Sequence, residues 1–259
     1  MYKEHPAFES PPNENAKIWR YMDFTKFVSL LQKEALFFPR ADKLGDAFEG
    51  SYPLENVIVR KSSRQAYLDR LPEYIRQDLS LSPSNEWNKA MSAFYKKLTK
   101  FMFINSWHQG EGESAAMWKL YLKSNEGIAI QSTYNRLRNC FKKETPDIWV
   151  GRVKYMDYTK ELIADVNFLA PFLSKRKSFR HEQEVRAIIF KFNLTKHGST
   201  KPAFKDGLGV AVDPELLIEK VYVAPASPPW VRDLIKSVMM KYGLDRKPCP
   251  SELDSKPLY

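Results

Sequence analysis

Ile18–Pro39 reads IWRYMDFTKFVSLLQKEALFFP, and its changes of period decide the fold class. Ile18-Trp19-Arg20-Tyr21-Met22 is a short run rich in strand-favouring residues. Asp23 then supplies a carboxylate where a helix needs an N-cap, and Phe24, Phe27, Val28 and Leu31 follow at i, i+3, i+4 and i+7. Leu36-Phe37-Phe38 is a second strand, closed by Pro39, which has no N–H to donate. Strand, helix and strand in such close succession belong to an α+β chain.

Working outward, residues 1–16 are rich in Pro, Asn and Glu and read as a flexible, poorly packed N-terminal arm with no apolar core of signal-peptide length. On the other side a helical insertion is expected over about residues 55–100. In it Trp87, Met91, Phe94, Tyr95 and Leu98 form one stripe, with Ser84 as a cap. Phe101–Trp107 (FMFINSW) reads as a buried strand, followed by the loop HQGEGE, a helix over 114–123 and the strand GIAIQ at 127–131. Further strands are expected at 149–155, 185–192, 209–213 and 220–224, with a helix at 159–173. The last helix carries Val231, Leu234, Ile235, Val238, Met239 and Tyr242 and stops at Gly243. The expected architecture is therefore one α+β domain over 17–259.

The 259 residues carry 41 Lys and Arg against 31 Asp and Glu, a formal charge of +10. Most of the excess lies in residues 51–100 (+4) and 151–200 (+5). Its densest point is Lys175, Arg176 and Lys177, followed by Arg180, a patch suited to nucleic acid or to a phosphorylated ligand; a solvated helix end explains the same residues. Cys140 and Cys249 are too few for a disulfide framework or a cysteine zinc site, which suits a reduced, cytoplasmic protein. No run of about 18 apolar residues offers a membrane span. There is no GxxxxGK[ST], GxGxxG or GxSxG motif, and His5, His108, His181 and His197 show no metal-ligand spacing.

The chemistry-bearing stretch is Lys175–Phe192, KRKSFRHEQEVRAIIFKF. In an extended strand Glu182, Glu184 and Arg186 share one face, and Gln183, Val185, Ala187 and Ile189 share the other. Paired carboxylates at the mouth of an apolar strand are costly unless solvated or ion-paired. They are either a charge cluster with Arg186 as counter-ion or a set that handles substrate. Asp46 and Glu49, in KLGDAFEG, have the same two readings: a turn cap and an ion-pair partner, or a cover for a ligand cleft.

Glu182-Gln183-Glu184-Val185 resembles the Glu-x-Glu-Val element of ADP-ribosyltransferases. The opening strand–helix–strand is similar to the start of such enzymes. The resemblance implies a mixed ADP-ribosyltransferase-like sheet and NAD as substrate. Arg20 would hold the pyrophosphate and Glu184 would face the oxocarbenium-like ribose, while Glu182 would orient or deprotonate the acceptor. Ser106 would be the middle-strand residue, with Ser132-Thr133 as competitor. Tyr21, Phe38 or Trp107 would flank the nicotinamide ring. The acceptor would be nucleic acid or protein, in a toxin or phage-defence setting. Over most of its length the chain also resembles a bacterial family built on a domain of unknown function. That likeness runs through WRYMDF, LFFPRADKLGDAFEG, SWHQGEGESAAMWKLY, GIAI and KRKSFRHEQEVR, in that order. Two other readings stay open. One is a nuclease with Asp46, Glu49, Glu182 and Glu184 around Mg²⁺; the other is a non-catalytic nucleic-acid-binding protein.

Overall fold

A computed structural model describes residues 1–62, 65, 68, 69, 73, 76, 86–122, 126–163, 167–192 and 204–258. The opening unit forms as its period dictates: β1 (Lys17–Asp23), α1 (Phe24–Lys33) and β2 (Ala35–Pro39). The Asp23 carboxylate accepts from the Lys26 backbone N–H and caps α1, which buries Phe27, Leu30 and Leu31. Next come α2 (Leu54–Ser62), α3 (Trp87–Leu98), β3 (Met102–Gln109), α4 (Ala115–Tyr121), β4 (Gly127–Thr133) and α5 (Tyr134–Asn139). The second half holds β5 (Trp149–Arg152), β6 (Lys154–Met156), β7 (Ser174–Arg176), β8 (Glu184–Phe190), β9 (Gly207–Ala211), α6 (Pro214–Leu217), β10 (Lys220–Val223) and α7 (Pro229–Lys241).

The architecture is α+β. Six strands form one sheet in the order β10-β4-β1-β3-β8-β5, and all of its pairings are antiparallel. β2 pairs with β9, and β6 runs parallel to β7 in a small separate sheet. Helices cover both faces. On one, α1, α5 and α7 bury Phe27, Leu31, Tyr134, Val231 and Ile235 against Ile18, Ile130, Val185 and Ala187. On the other, α3 packs Trp87, Met91 and Tyr95 with Met102, Ile104 and Ile188. Beside it α4 lays Met117 and Trp118 on Trp19 and Tyr21.

Several expectations are corrected. Residues 1–9 lie along β5, where Phe8 is buried, Tyr2 bridges Ile148 and the Arg152 N–H donates to the Glu9 carbonyl, and the Glu14 and Ala16 carbonyls accept from the first N–H groups of α5. The strand foreseen over 149–155 breaks at Val153, whose N–H donates to the Glu184 carbonyl before the chain joins the small sheet. Within the described part of 159–173 a 3-10 turn at Ala170–Leu173 replaces the expected helix. The Asn56 side chain binds both the N–H and the C=O of Ile163, at 2.8 and 2.9 Å, which removes two helical bonds. Ser84 and most of residues 64–80 lie outside the described residues.

Candidate active site at the seam of the sheet

β1 and β3 pair only at Ile18↔Gln109 and Trp19↔His108, whereas β1 pairs with β4 along its whole length. Beyond Trp19 the sheet therefore opens. Arg40 bridges Phe103 farther along β3. Arg20 lies at this opening. Its Nη1 donates to the Ser106 carbonyl at 2.6 Å and to Asn105 Oδ1 at 3.2 Å, and its guanidinium stands 5.9 Å from the Trp107 ring. No carboxylate pairs with it among the described residues. Burial lowers its pKa to about 10, with Tyr121 acting in the other direction, so it is a cation at neutral pH.

Across β3 the register sets His108 opposite Glu184 and Ser106 opposite Arg186. Trp19, His108 and Glu184 thus form one row on one face of the sheet, spanning two strand spacings, about 10 Å. Tyr21, two residues on from Trp19, points to that face. Its ring lies edge-on to Trp118 at 4.9 Å, its hydroxyl accepts from the Ser114 N–H at 2.8 Å, and burial raises its pKa to about 12. Arg20, one residue off, points the other way and turns to the Asn105 side chain, the Ser106 carbonyl and the Trp107 ring at the opening. Ser106 is half-buried and lies on the Glu184 face; its carbonyl, not its hydroxyl, meets Arg20.

The two glutamates differ. Glu182 is not on the strand face foreseen for it: it ends a 3-10 turn over Lys177–Glu182, and Gln183 follows at φ 40° before β8 begins. The extra left-handed step breaks the alternation that would have aligned 182 with 184. Glu184 is fixed from both sides, by Arg186 Nε at 2.7 Å and Lys175 Nζ at 2.7 Å. Lys175 Nζ also donates to Glu182. Burial pushes both carboxyls up. For Glu184 the Arg186 cation, with Glu182 and Lys175, outweighs that push and holds it well below the usual range. For Glu182 burial, with the hydrogen bond to Glu184, prevails and raises its pKa to about 7. The pair thus holds its proton on Glu182.

Arg186, 1% exposed, also clasps Glu49 through Nη1 and Nη2, at 2.6 and 3.0 Å. Its Nη1 further donates to the Phe172 carbonyl at 2.6 Å. Tyr121, half exposed at the end of α4, lies within electrostatic range of both halves of the site. Burial, Glu184 and Glu182 raise its pKa, while Arg20 and Lys175 lower it, so one phenol feels both Arg20 and the carboxylate pair.

The basic patch is largely spent. Lys175 turns inward to the glutamates, Arg176 pairs with Asp46 at 3.0 Å, and Lys177 pairs with Glu161 at 2.6 Å. Arg180 is exposed and pairs with no carboxylate among the described residues. The competitor hydroxyls are structural: Ser132 donates to the Leu217 carbonyl, and Thr133 caps α5. Phe38 and Trp107 are buried in the core of the opposite face. Each carboxylate of the envisaged metal site already holds a cationic side chain, Asp46 on Arg176, Glu49 on Arg186, and Glu182 and Glu184 on Lys175. No set of three His, Cys, Asp or Glu suited to a metal ion occurs among the described residues.

Two members of the site escaped sequence reasoning. Tyr121 carried only a weak signal: it follows Met117 and Trp118 at i+4 and i+3, but those two pack on the sheet while Tyr121, at the end of the helix, stays half exposed. Lys175 carried none, because a run of cations reads as surface.

Neither a scan of protein-family models nor a search of curated proteins found a match. Among solved structures the chain is similar to Thermus sp. 2.9 DarT in complex with ADP-ribosylated ssDNA, with TM-score 0.38 and 11% identity over 94% of this chain and 95% of that one. An overlap of that size sets no residue correspondence. Among the described residues no helix is long and apolar enough to cross a membrane.

Proposed function

We propose that this chain is an ADP-ribosyltransferase-like enzyme that cleaves the nicotinamide–ribose bond of NAD and passes the ADP-ribosyl group to a nucleic-acid or protein acceptor. One observation carries the reading. Arg20 is a desolvated guanidinium with no carboxylate partner among the described residues, at an opening in the sheet, and Tyr121 lies within electrostatic reach of both it and the Glu182–Glu184 pair. A diphosphate would supply the missing counter-charge to Nε and Nη2, which bond no described residue.

Loss of nicotinamide leaves positive charge on the ribose. The cluster facing it holds two cations, Lys175 and Arg186, against three carboxylates, Glu49, Glu182 and Glu184. It is neutral while Glu182 is protonated and carries one net negative charge once Glu182 ionises. In this reading Glu184 supplies a fixed carboxylate beside the ribose. Glu182, at the more open end, takes the acceptor proton, a role suited to a group titrating near pH 7. Tyr21 and Ser106 line the same face.

The test is direct. Pure protein is incubated with labelled NAD and with single-stranded DNA, RNA or lysate protein as acceptor, and released nicotinamide and transferred label are counted. Arg20→Lys and Glu184→Gln are each expected to lower turnover by about 100-fold or more. Absence of turnover by the wild type, or equal turnover by Glu184→Gln, defeats the reading.

A further inference from the structure

We propose that Glu49 is a positioning residue for the Glu182–Glu184 pair: through Arg186 it fixes where Glu184 sits and sets the net charge that surrounds Glu182. What the pair does rests on the NAD-cleaving reading; how it is held does not.

Glu49 lies 137 residues from Arg186 in sequence, yet both of its carboxylate oxygens accept from that guanidinium. The carboxylate is 4% exposed, so water does not compensate it. Burial pushes the Glu49 carboxyl up and the Arg186 cation opposes that push, the fork of two parallel bonds favouring an ionised carboxylate against a planar cation. The remaining Arg186 donors go to Glu184 and to the Phe172 carbonyl, which leaves the guanidinium no freedom to rotate.

The loop that delivers Glu49 is locked at the same point. Gly50 has φ +70°, and a Cβ there would meet the Phe172 ring at 2.5 Å. Glu49, Phe172 and Arg186 therefore form one joint. Asp46, earlier in the loop, clasps Arg176 at 3.0 Å, next to Lys175. The loop grips both ends of the segment that carries the glutamates.

Charge gives this joint a chemical consequence. Lys175 faces Glu182 from β7, Glu184 and Arg186 come from β8, Tyr121 from α4, Tyr155 from β6 and His108 from β3, its Nδ1 2.8 Å from the Glu182 carbonyl, while His181 and Arg180 belong to its own turn. Without Glu49 the same group is neutral when Glu182 is ionised and positive when it is protonated. Ionisation of Glu182 then becomes easier, and the net negative charge facing the substrate is lost.

The experiment uses the full chain with ¹³C-labelled glutamate. The Glu182 carboxyl is titrated by NMR, and NAD cleavage is followed against pH. Glu49→Gln keeps the shape and one acceptor oxygen but removes the charge. It is expected to move the Glu182 titration and the activity limb down by about one pH unit and to lower kcat with KM for NAD unchanged. Glu49→Asp is expected to restore the limb. A Glu182 titration unmoved in Glu49→Gln overturns the proposal. The NMR titration decides it even where the wild type proves inactive, an outcome that defeats the NAD reading alone. Should Glu49→Gln fail to fold, Glu49→Asp carries the test: it keeps the charge at a shorter reach, so Glu182 titrates as in the wild type while kcat falls. A displaced Glu182 titration in Glu49→Asp overturns the proposal.

Discussion

Glu182 and Glu184 are two residues apart and titrate in opposite directions. With its pKa raised from 4.5 to about 7, Glu182 contributes stability that is complete below pH 4.5 and lost as pH rises through 7. Glu184, held well below 4.5, contributes stability that is present above that value and lost as pH falls. Their joint contribution therefore peaks near 4.5, the free carboxyl value, and declines from there towards pH 7. Activity has the other sign, because the base must be ionised: nicotinamide release is expected to rise through pH 7, and Glu182→Gln to remove that limb. A flat profile in the wild type argues against Glu182 as the base. Arg186 is the residue on which stability rests. Arg186→Ala strands the Glu49 carboxylate, 4% exposed, and leaves Glu184, 6% exposed, with Lys175 alone. The expected cost is about 3–5 kcal/mol, read by urea denaturation at pH 7.

Elements that were legible are those whose period is unmixed. β1, α1 and β2 follow directly from IWRYM, the Asp23 cap and LFF, and removing the cap by Asp23→Ala is expected to cost about 1 kcal/mol in a denaturant titration. The elements that misled are those decided by distant groups. Nothing local in 159–173 announces that Asn56 will take both backbone groups of Ile163. The site divides in the same way. Paired glutamates before an apolar strand are visible in the sequence, as is the nearby Arg186. Gln183 in the left-handed region is not, because a non-glycine residue rarely goes there, and that one dihedral takes Glu182 out of the strand. The partners of Arg186 lie out of sight for a similar reason, since Glu49 is brought in by the 41–50 loop. This loop makes its own prediction. Gly50→Ala puts a methyl against Phe172 in a backbone region that disfavours side chains, and a loss of roughly 1–3 kcal/mol is expected from thermal unfolding.

At the scale of the molecule, β10-β4-β1 and β3-β8-β5 meet along a seam with only two paired positions. Side chains must hold it together beyond Trp19, and Asn105 is the hub. Fully buried, it accepts from Arg20 Nη1 and Trp107 Nε1 and donates to the Phe37 carbonyl, so β1, β2 and β3 converge on one amide. The same amide anchors the cation proposed to bind the pyrophosphate, which joins the integrity of the sheet to the affinity of the site. Asn105→Ala leaves the buried Trp107 N–H without its partner, at about 1–3 kcal/mol, and takes a further bond of about 1 kcal/mol from the part-buried Phe37 C=O. For a chain of this length the total corresponds to a fall in Tm of roughly 5–15 °C. Below that temperature the folded variant retains Glu182, Glu184, Arg186 and Lys175 in place but has lost one of the two groups that aim Arg20. Its KM for NAD is therefore expected to rise about tenfold while kcat changes little. Asn105 and Trp107 point to the face of β3 away from the carboxylates. A fall in kcat with unchanged KM would instead tie Asn105 to the carboxylate pair and break the division of labour across the seam.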